Sequence, residues 1–341
     1  MISNNTNPKP LLDINDLQVH FPIYGGVLQR KVAAVKAVDG VSFTIGRGET
    51  LGLVGESGCG KTTVGRAIVN VLKHVSPDVH IGGSVTYTDA DGTSTNLLGL
   101  NKKDMLKHRS AVQMIFQDPY SSLNQRMSVR QIVGEPLEIH KRGLTSREID
   151  GAVQTLLQKV GLQPEYAARF PHEFSGGQRQ RIGIARALAT NPDLIVCDEP
   201  VSALDVSVQA QVINLMDDLR KEFGLSYLFI AHDLSVVYHI SQRIAVMYLG
   251  NVVEIGTADQ VYFNPTHPYT KSLISAVPEP DPTRKDKQRI VLQGDIPTPL
   301  NKPSGCGFRT RCPIARPECA THTPKLEEKA SGAVVACPFV D

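Results

Sequence analysis

The residues best suited to chemistry begin at Gly55-Glu56-Ser57-Gly58-Cys59-Gly60-Lys61-Thr62-Thr63. Glycines at this spacing let the backbone curl so that successive N–H groups face inward, and the N-terminus of a following helix adds positive potential. Lys61 is then placed to reach the β- and γ-phosphates of a nucleoside triphosphate, and the Thr62 hydroxyl to ligate Mg²⁺. Further along, Ser175-Gly176-Gly177-Gln178 opens a helix and makes a second anion-binding turn. Asp198-Glu199 closes an apolar run, and paired carboxylates at the end of a strand suit metal binding and water activation. His232-Asp233 closes another such run. Cys306, Cys312, Cys319 and Cys337 crowd the C-terminal tail, whereas Cys59 and Cys197 stand alone and read as small apolar fillers. In a reducing cytosol, such a cluster suits metal ligation better than disulfide formation.

These residues need elements to hold them. Thr50-Leu51-Gly52-Leu53-Val54 is strand-like, and apolar Val64, Ala67, Ile68, Val71 and Leu72 lie on one face of a helix. A glycine-rich loop between a strand and a helix is the context that makes a phosphate-binding loop. Leu17–Phe21 and Val41–Ile45 read as strands with a loop at Tyr24-Gly25-Gly26, and Gly82–Tyr87 with Asp91-Gly92 reads as a hairpin. An aromatic residue of this antiparallel region is expected to stack on the base, Phe21 before Tyr24. Residues 101–172 read mostly helical, with helices over Met105–Arg109, Val129–His140 and Ser146–Val160 and a cap at Thr145 or Ser146. Leu194–Cys197 and Tyr227–Ile230 read as buried strands on either side of a helix carrying Val208, Val212, Leu215, Met216, Leu219 and Phe223.

Composition sets bounds. The chain has 341 residues, 36 basic against 34 acidic, which gives no nucleic-acid footprint. No apolar run approaches membrane-spanning length, and polar Met1–Pro10 lacks the apolar core of a secretory signal. The expectation is a cytoplasmic protein. Asn101-Lys102-Lys103-Asp104 and Asp89-Ala90-Asp91-Gly92 mimic GTPase strings, but they lie too close together and outside the required context.

In order and spacing, Gly55–Thr62, Gln117, Ser175–Gln178, Asp198-Glu199, Ser202–Asp205 and His232 resemble the Walker A, Q-loop, signature, Walker B, D-loop and H-loop of ABC-type ATPases. The resemblance implies an α/β fold: a P-loop core on a mainly parallel sheet, an antiparallel β subdomain and a helical subdomain. It covers about residues 11–262, within a nucleotide-binding domain of 1–262. Phe174 stands where many members carry leucine. The resemblance also implies roles. Thr62, Gln117 and Asp198 would serve Mg²⁺, Glu199 would be the general base, and His232 would contact the γ-phosphate. Gly55, Ser57, Gly58, Cys59, Gly60, Lys61, Thr62 and Thr63 would hold ATP. Ser175, Gly176, Gly177, Gln178 and Asp205 would complete the site of an opposite subunit in a head-to-tail dimer.

The tail narrows the family. Tyr262–Thr270 and Ser304–Pro313 resemble the C-terminal extension of oligopeptide and dipeptide importer ATPases, from about residue 263 to 341, and Glu199–Leu215, Gln211 apart, with Ala336-Cys337 resembles the F subunit of oligopeptide permeases. That subunit pairs with a homologous D subunit beneath two membrane permeases fed by an extracytoplasmic binding protein. It would therefore sit peripherally on the cytoplasmic face of the membrane, with glutathione or nickel as alternative cargo. The spacing C-x5-C-x6-C-x17-C lacks the close pairs of zinc ribbons. By itself it leaves iron–sulfur, zinc and free thiols open, and the resemblance points to a 4Fe–4S cluster. The cluster's expected role is structural, so that cysteine-to-serine changes leave nucleotide affinity nearly intact.

Overall fold

The computed structural model describes residues 9–27, 30–277, 290–292, 294–295 and 297–341; most of Met1–Pro10 lies outside them. In chain order the elements are β1 (Leu12–Gly25), β2 (Arg30–Ile45), β3 (Thr50–Val54), α1 (Lys61–Ile68), α2 (Leu72–Val75), β4 (His80–Thr88) and β5 (Ser94–Asn96). Next come α3 (Lys102–Arg109), β6 (Val112–Ile115), α4 (Val129–His140), α5 (Ser146–Lys159), α6 (Gly176–Leu188), β7 (Leu194–Asp198), α7 (Val206–Phe223) and β8 (Ser226–Ile230). The chain continues through α8 (Leu234–Ile240), β9 (Arg243–Tyr248), β10 (Asn251–Thr257), α9 (Ala258–Phe263), α10 (Pro268–Ser275), β11 (Glu327–Glu328) and β12 (Val334–Val335). The described residues form two compact units. One takes those up to Ile45, Thr50–Leu98 and those from Ala231 onward; the other takes Gly46–Glu49 and Gly99–Ile230.

In the first unit, β2, β1, β4 and β5 form an antiparallel sheet. β1 and β2 are far longer than the short runs their apolar patterns mark, and Tyr24 and Gly25 belong to β1 rather than to a loop. Register shifts along the pair, one flanking Asp16 at φ 48°, are β-bulges that carry the strands past breaks in the alternation. The same unit pairs β3 with β9 in parallel, then β9 with β10, β10 with β12 and β12 with β11 antiparallel. The expected parallel pairing is therefore joined by an antiparallel margin of β10, β12 and β11. The cause is local: Leu249 (φ 43°) and Gly250 (φ 81°) form a two-residue turn with both φ positive, the geometry of a tight hairpin. The helix expected through Leu72 also stops early, because Asn70 sits at φ 52° and splits it into α1 and α2.

The second unit contains the parallel strands β8, β7 and β6. Every residue of β7 and β8 is buried, which explains their unbroken apolar sequence. α4 has the expected bounds, and Thr145 caps α5 through a reciprocal exchange with Glu148. The GTPase-like Asn101 is the cap of α3, accepting the N–H groups of Lys103 and Asp104, and Asp89 is a turn acceptor for Asp91 and Thr93. Among the described residues no helix is long and apolar enough to cross a membrane.

Candidate functional site

β3 delivers the chain into the loop and α1 receives it at Lys61. Gly60, at φ 109°, is confined: an added Cβ would lie 2.1 Å from the Ala37 carbonyl oxygen. The Cys59 N–H donates to the Glu56 carbonyl at 3.2 Å, and the Gly250 N–H donates to the Cys59 carbonyl at 2.9 Å. The β9–β10 turn thus helps to set the loop's shape. Lys61 is buried, with its ammonium donating to the Gly55 and Glu56 carbonyls at 2.8 and 3.1 Å. The cation is held inside the loop by neutral acceptors, which phosphate oxygens surpass in strength. Ser57 and Gly58 are exposed, while Thr62 and Thr63 start α1 half-buried. The Glu56 N–H points elsewhere, to the buried Tyr269 hydroxyl at 2.9 Å. His232 is exposed and follows Ala231, whose N–H donates to the Leu53 carbonyl at the end of β3.

The second unit gathers the other motif residues. β7 ends on Asp198, only 1% exposed, followed by Glu199 in the left-handed region at φ 46°. The Glu199 N–H donates to the Ile230 carbonyl at 2.9 Å, and the Gln117 side-chain amide donates to its carboxylate at 3.0 Å. Ser175 caps α6 in a reciprocal exchange with Gln178. Gly177 permits a close approach, since an added Cβ would lie 2.5 Å from Val208 Cγ1. Asp205 caps α7 by accepting the Val208 N–H at 3.0 Å, and the Ser207 hydroxyl hydrogen bond holds its carboxyl below the usual range. Gly176 and Gly177 therefore lie against Leu204 and Val208, the residues that flank the Asp205 cap, a neighbourhood with no trace in local sequence.

Phe21 is half-buried in β1 opposite Val35, and the exposed Tyr24 donates its hydroxyl to the Asp78 carboxylate at 3.2 Å. Cys59 and Cys197 are buried, and desolvation raises both thiols, which disfavours the reactive thiolate form.

Cys306, Cys312, Cys319 and Cys337 line a single cavity of about 180 Å³, together with Phe308 and His267. Burial pushes the Cys312 thiol up to about 11 and raises Cys306 as well. Among the described residues, no group of three or more His, Cys, Asp or Glu side chains is arranged to hold a metal ion. The expected ligand set is gathered around one space without converging on a point. The tail is also not isolated from the loop: Arg311, beside Cys312, forms a two-pronged ion pair with Glu56 at 2.8 and 3.0 Å.

The ABC transporter family profile matches residues 38–202, and the profile of the oligopeptide/dipeptide transporter C-terminal region matches residues 253–319. The chain is 54% identical over 329 residues to the putative oligopeptide transport ATP-binding protein YkfD of Bacillus subtilis, covering 96% of this chain and 95% of that protein. It is 53% identical over 336 residues to the oligopeptide transport ATP-binding protein OppF of Salmonella typhimurium, covering 98% and 97%. The chain belongs to the oligopeptide-type ABC transporter ATP-binding family. Solved cassettes agree on the fold of this ABC ATPase. CbiO1 from Clostridium perfringens matches with a TM-score of 0.61 at 24% identity, covering 75% of this chain and 92% of that one. The bacterial ABC transporter cassette MJ0796, solved as a dimer, matches with a TM-score of 0.59 at 25% identity, covering 72% and 98%.

Proposed function

We propose that this chain is the ATP-hydrolysing subunit that powers import of oligopeptides or dipeptides through a pair of membrane permeases. The observation that carries the reading is an unbroken set of ATPase motif residues in the same chain as an oligopeptide-type C-terminal region. Lys61 and the loop amides of Gly55, Ser57, Gly58, Cys59, Gly60, Thr62 and Thr63 receive the phosphates. The Thr62 hydroxyl, the Asp198 carboxylate and the Gln117 side chain are hard oxygen donors that would hold Mg²⁺, and the ion would supply positive charge to offset that developing on the phosphates. Glu199 takes the proton of the attacking water, oriented by the Gln117 amide, and His232 steadies the γ-phosphate. Phe21 stacks on the adenine.

Ser175, Gly176, Gly177, Gln178 and Asp205 serve the nucleotide of a homologous D-type subunit, giving a head-to-tail heterodimer. That dimer sits on the cytoplasmic face of the membrane, fed indirectly by an extracytoplasmic peptide-binding protein, with no role for nucleic acid. Residues 1–262 form the nucleotide-binding domain and 263–341 the importer-type extension. In that extension Cys306, Cys312, Cys319 and Cys337 hold a 4Fe–4S cluster. Four thiols around one cavity suit a multi-iron core better than a single ion, which needs its donors at one point. Iron and acid-labile sulfide in protein purified without oxygen, lost in Cys312→Ser, test the cluster; zinc alone or no metal would refute it.

Uptake in a strain deleted for this chain tests the transport role. Labelled peptides of two to five residues, glutathione and nickel are offered in parallel, with wild-type and Glu199→Gln genes returned separately. Loss confined to peptides, restored only by the wild type, is the expected result. Loss of glutathione or nickel uptake instead would replace the cargo, and unchanged uptake of every solute would contradict the transport role.

A further inference from the structure

Glu56 places a carboxylate inside a loop built to receive a polyanion. Left alone, that charge opposes the bound phosphates, because unlike a surface charge it is only partly screened by water. The C-terminal extension answers it. The Arg311 guanidinium grips both Glu56 carboxylate oxygens, at 2.8 and 3.0 Å, with the Arg311 side chain only 8% exposed. This two-pronged geometry fixes direction as well as charge. The Glu56 backbone is held as well, its N–H donating to the fully buried Tyr269 hydroxyl at 2.9 Å. Behind these groups the rings of Tyr248, Tyr269 and Phe308 pack at centroid separations of 4.7 to 5.4 Å, so Tyr269 has little room to move.

We propose that Arg311 and Tyr269 are positioning residues of the nucleotide site: Arg311 cancels the loop's own negative charge, and Tyr269 pins the backbone on which Lys61 closes. This rests on the reading of Gly55–Thr62 as an ATP site. The extension is then a working part of the phosphate loop, and whatever orders the chain around Cys312 also sets ATP affinity, which replaces the expectation that cysteine-to-serine changes there leave nucleotide affinity nearly intact.

The test measures KM for ATP and kcat in the assembled transporter for wild type, Arg311→Met, Arg311→Lys, Glu56→Gln and the Arg311→Met/Glu56→Gln double variant. Loss of the guanidinium is expected to raise KM about tenfold, the effect of one unscreened charge at loop distance, with kcat much less affected. Arg311→Lys, a point charge without the fork, should fall between wild type and Arg311→Met. Removing the carboxylate should rescue the loss, returning the double variant most of the way to the Glu56→Gln value. A purely structural role for Arg311 predicts no rescue, because both partners are then missing. Wild-type KM in Arg311→Met, or a double variant as weak as Arg311→Met, would overturn the proposal. If Arg311→Met does not fold, Arg311→Lys with and without Glu56→Gln decides by the same criterion. A wild-type chain that neither binds nor hydrolyses ATP would instead overturn the underlying nucleotide reading.

Discussion

The side-chain amide of Gln117 donates a 3.0 Å hydrogen bond to the carboxylate of Glu199, joining the end of a short apolar strand to the residue that follows β7. A neutral donor orients the carboxylate without adding a positive charge that would weaken it as a base. Glu199 meets this partner from a left-handed backbone position (φ 46°), a conformation that costs energy in any residue with a side chain. Such strain at a strand end marks a residue whose direction matters more than its local comfort.

Removing the amide should therefore cost turnover more than binding. Gln117→Ala is expected to lower kcat by about tenfold or more, the scale of one hydrogen bond to a charged group, with a smaller change in ATP affinity. Parallel measurements of kcat and equilibrium ATP binding check this. A large loss of affinity with kcat preserved would contradict the orienting role.

Gly177 is expected to be intolerant for reasons of space. An added methyl group would lie 2.5 Å from Val208 Cγ1, so Gly177→Ala should destabilise the chain by about 1–3 kcal/mol. Val208→Ala removes the obstructing atom, and the Gly177→Ala/Val208→Ala pair should be more stable than the sum of the single effects predicts. Denaturant unfolding of the wild type and the three variants measures the coupling; strict additivity would place the strain elsewhere.

How much of this was legible in the sequence follows from how local each signal is. The phosphate loop, the buried strands β7 and β8, and the Thr145 cap are written in neighbouring residues, and they appear where the pattern puts them. The apolar stripe through Leu72 misled, because Asn70 turns left-handed where periodicity alone continues the helix. The Leu249-Gly250 turn makes β10 antiparallel to β9 and was not recognised, since leucine is an unusual residue at positive φ. The Arg311–Glu56 pair, 255 residues apart, and the Gly177–Val208 contact exist only after folding. For that reason the tail reads as an appendage in sequence and as a neighbour of the phosphate loop in the structure.

His267 gives the extension a pH signature. It caps α10 by accepting the Tyr269 N–H at 3.1 Å, and burial drives its pKa from 6.5 down to about 3. A histidine held neutral in the fold but free to protonate when unfolded gives stability that is complete above about pH 6.5. That stability is lost as pH falls through the window down to about 3. By pH 5 the loss is on the order of 2 kcal/mol. His267→Asn keeps a capping acceptor and removes the titration, so its stability should fall less steeply between pH 6.5 and 5. Equal slopes would show that His267 is not the titrating group.

The most direct measurement of the central claim is single-turnover ATP hydrolysis by the Glu199→Gln chain in the assembled transporter. Glutamine keeps the shape and the partner of Glu199 but cannot accept a proton. ATP should bind with near wild-type affinity and persist, with hydrolysis slowed at least ~10²-fold, the scale of lost general-base catalysis. Hydrolysis at the wild-type rate would contradict the assignment of Glu199 and the ATPase mechanism built around it.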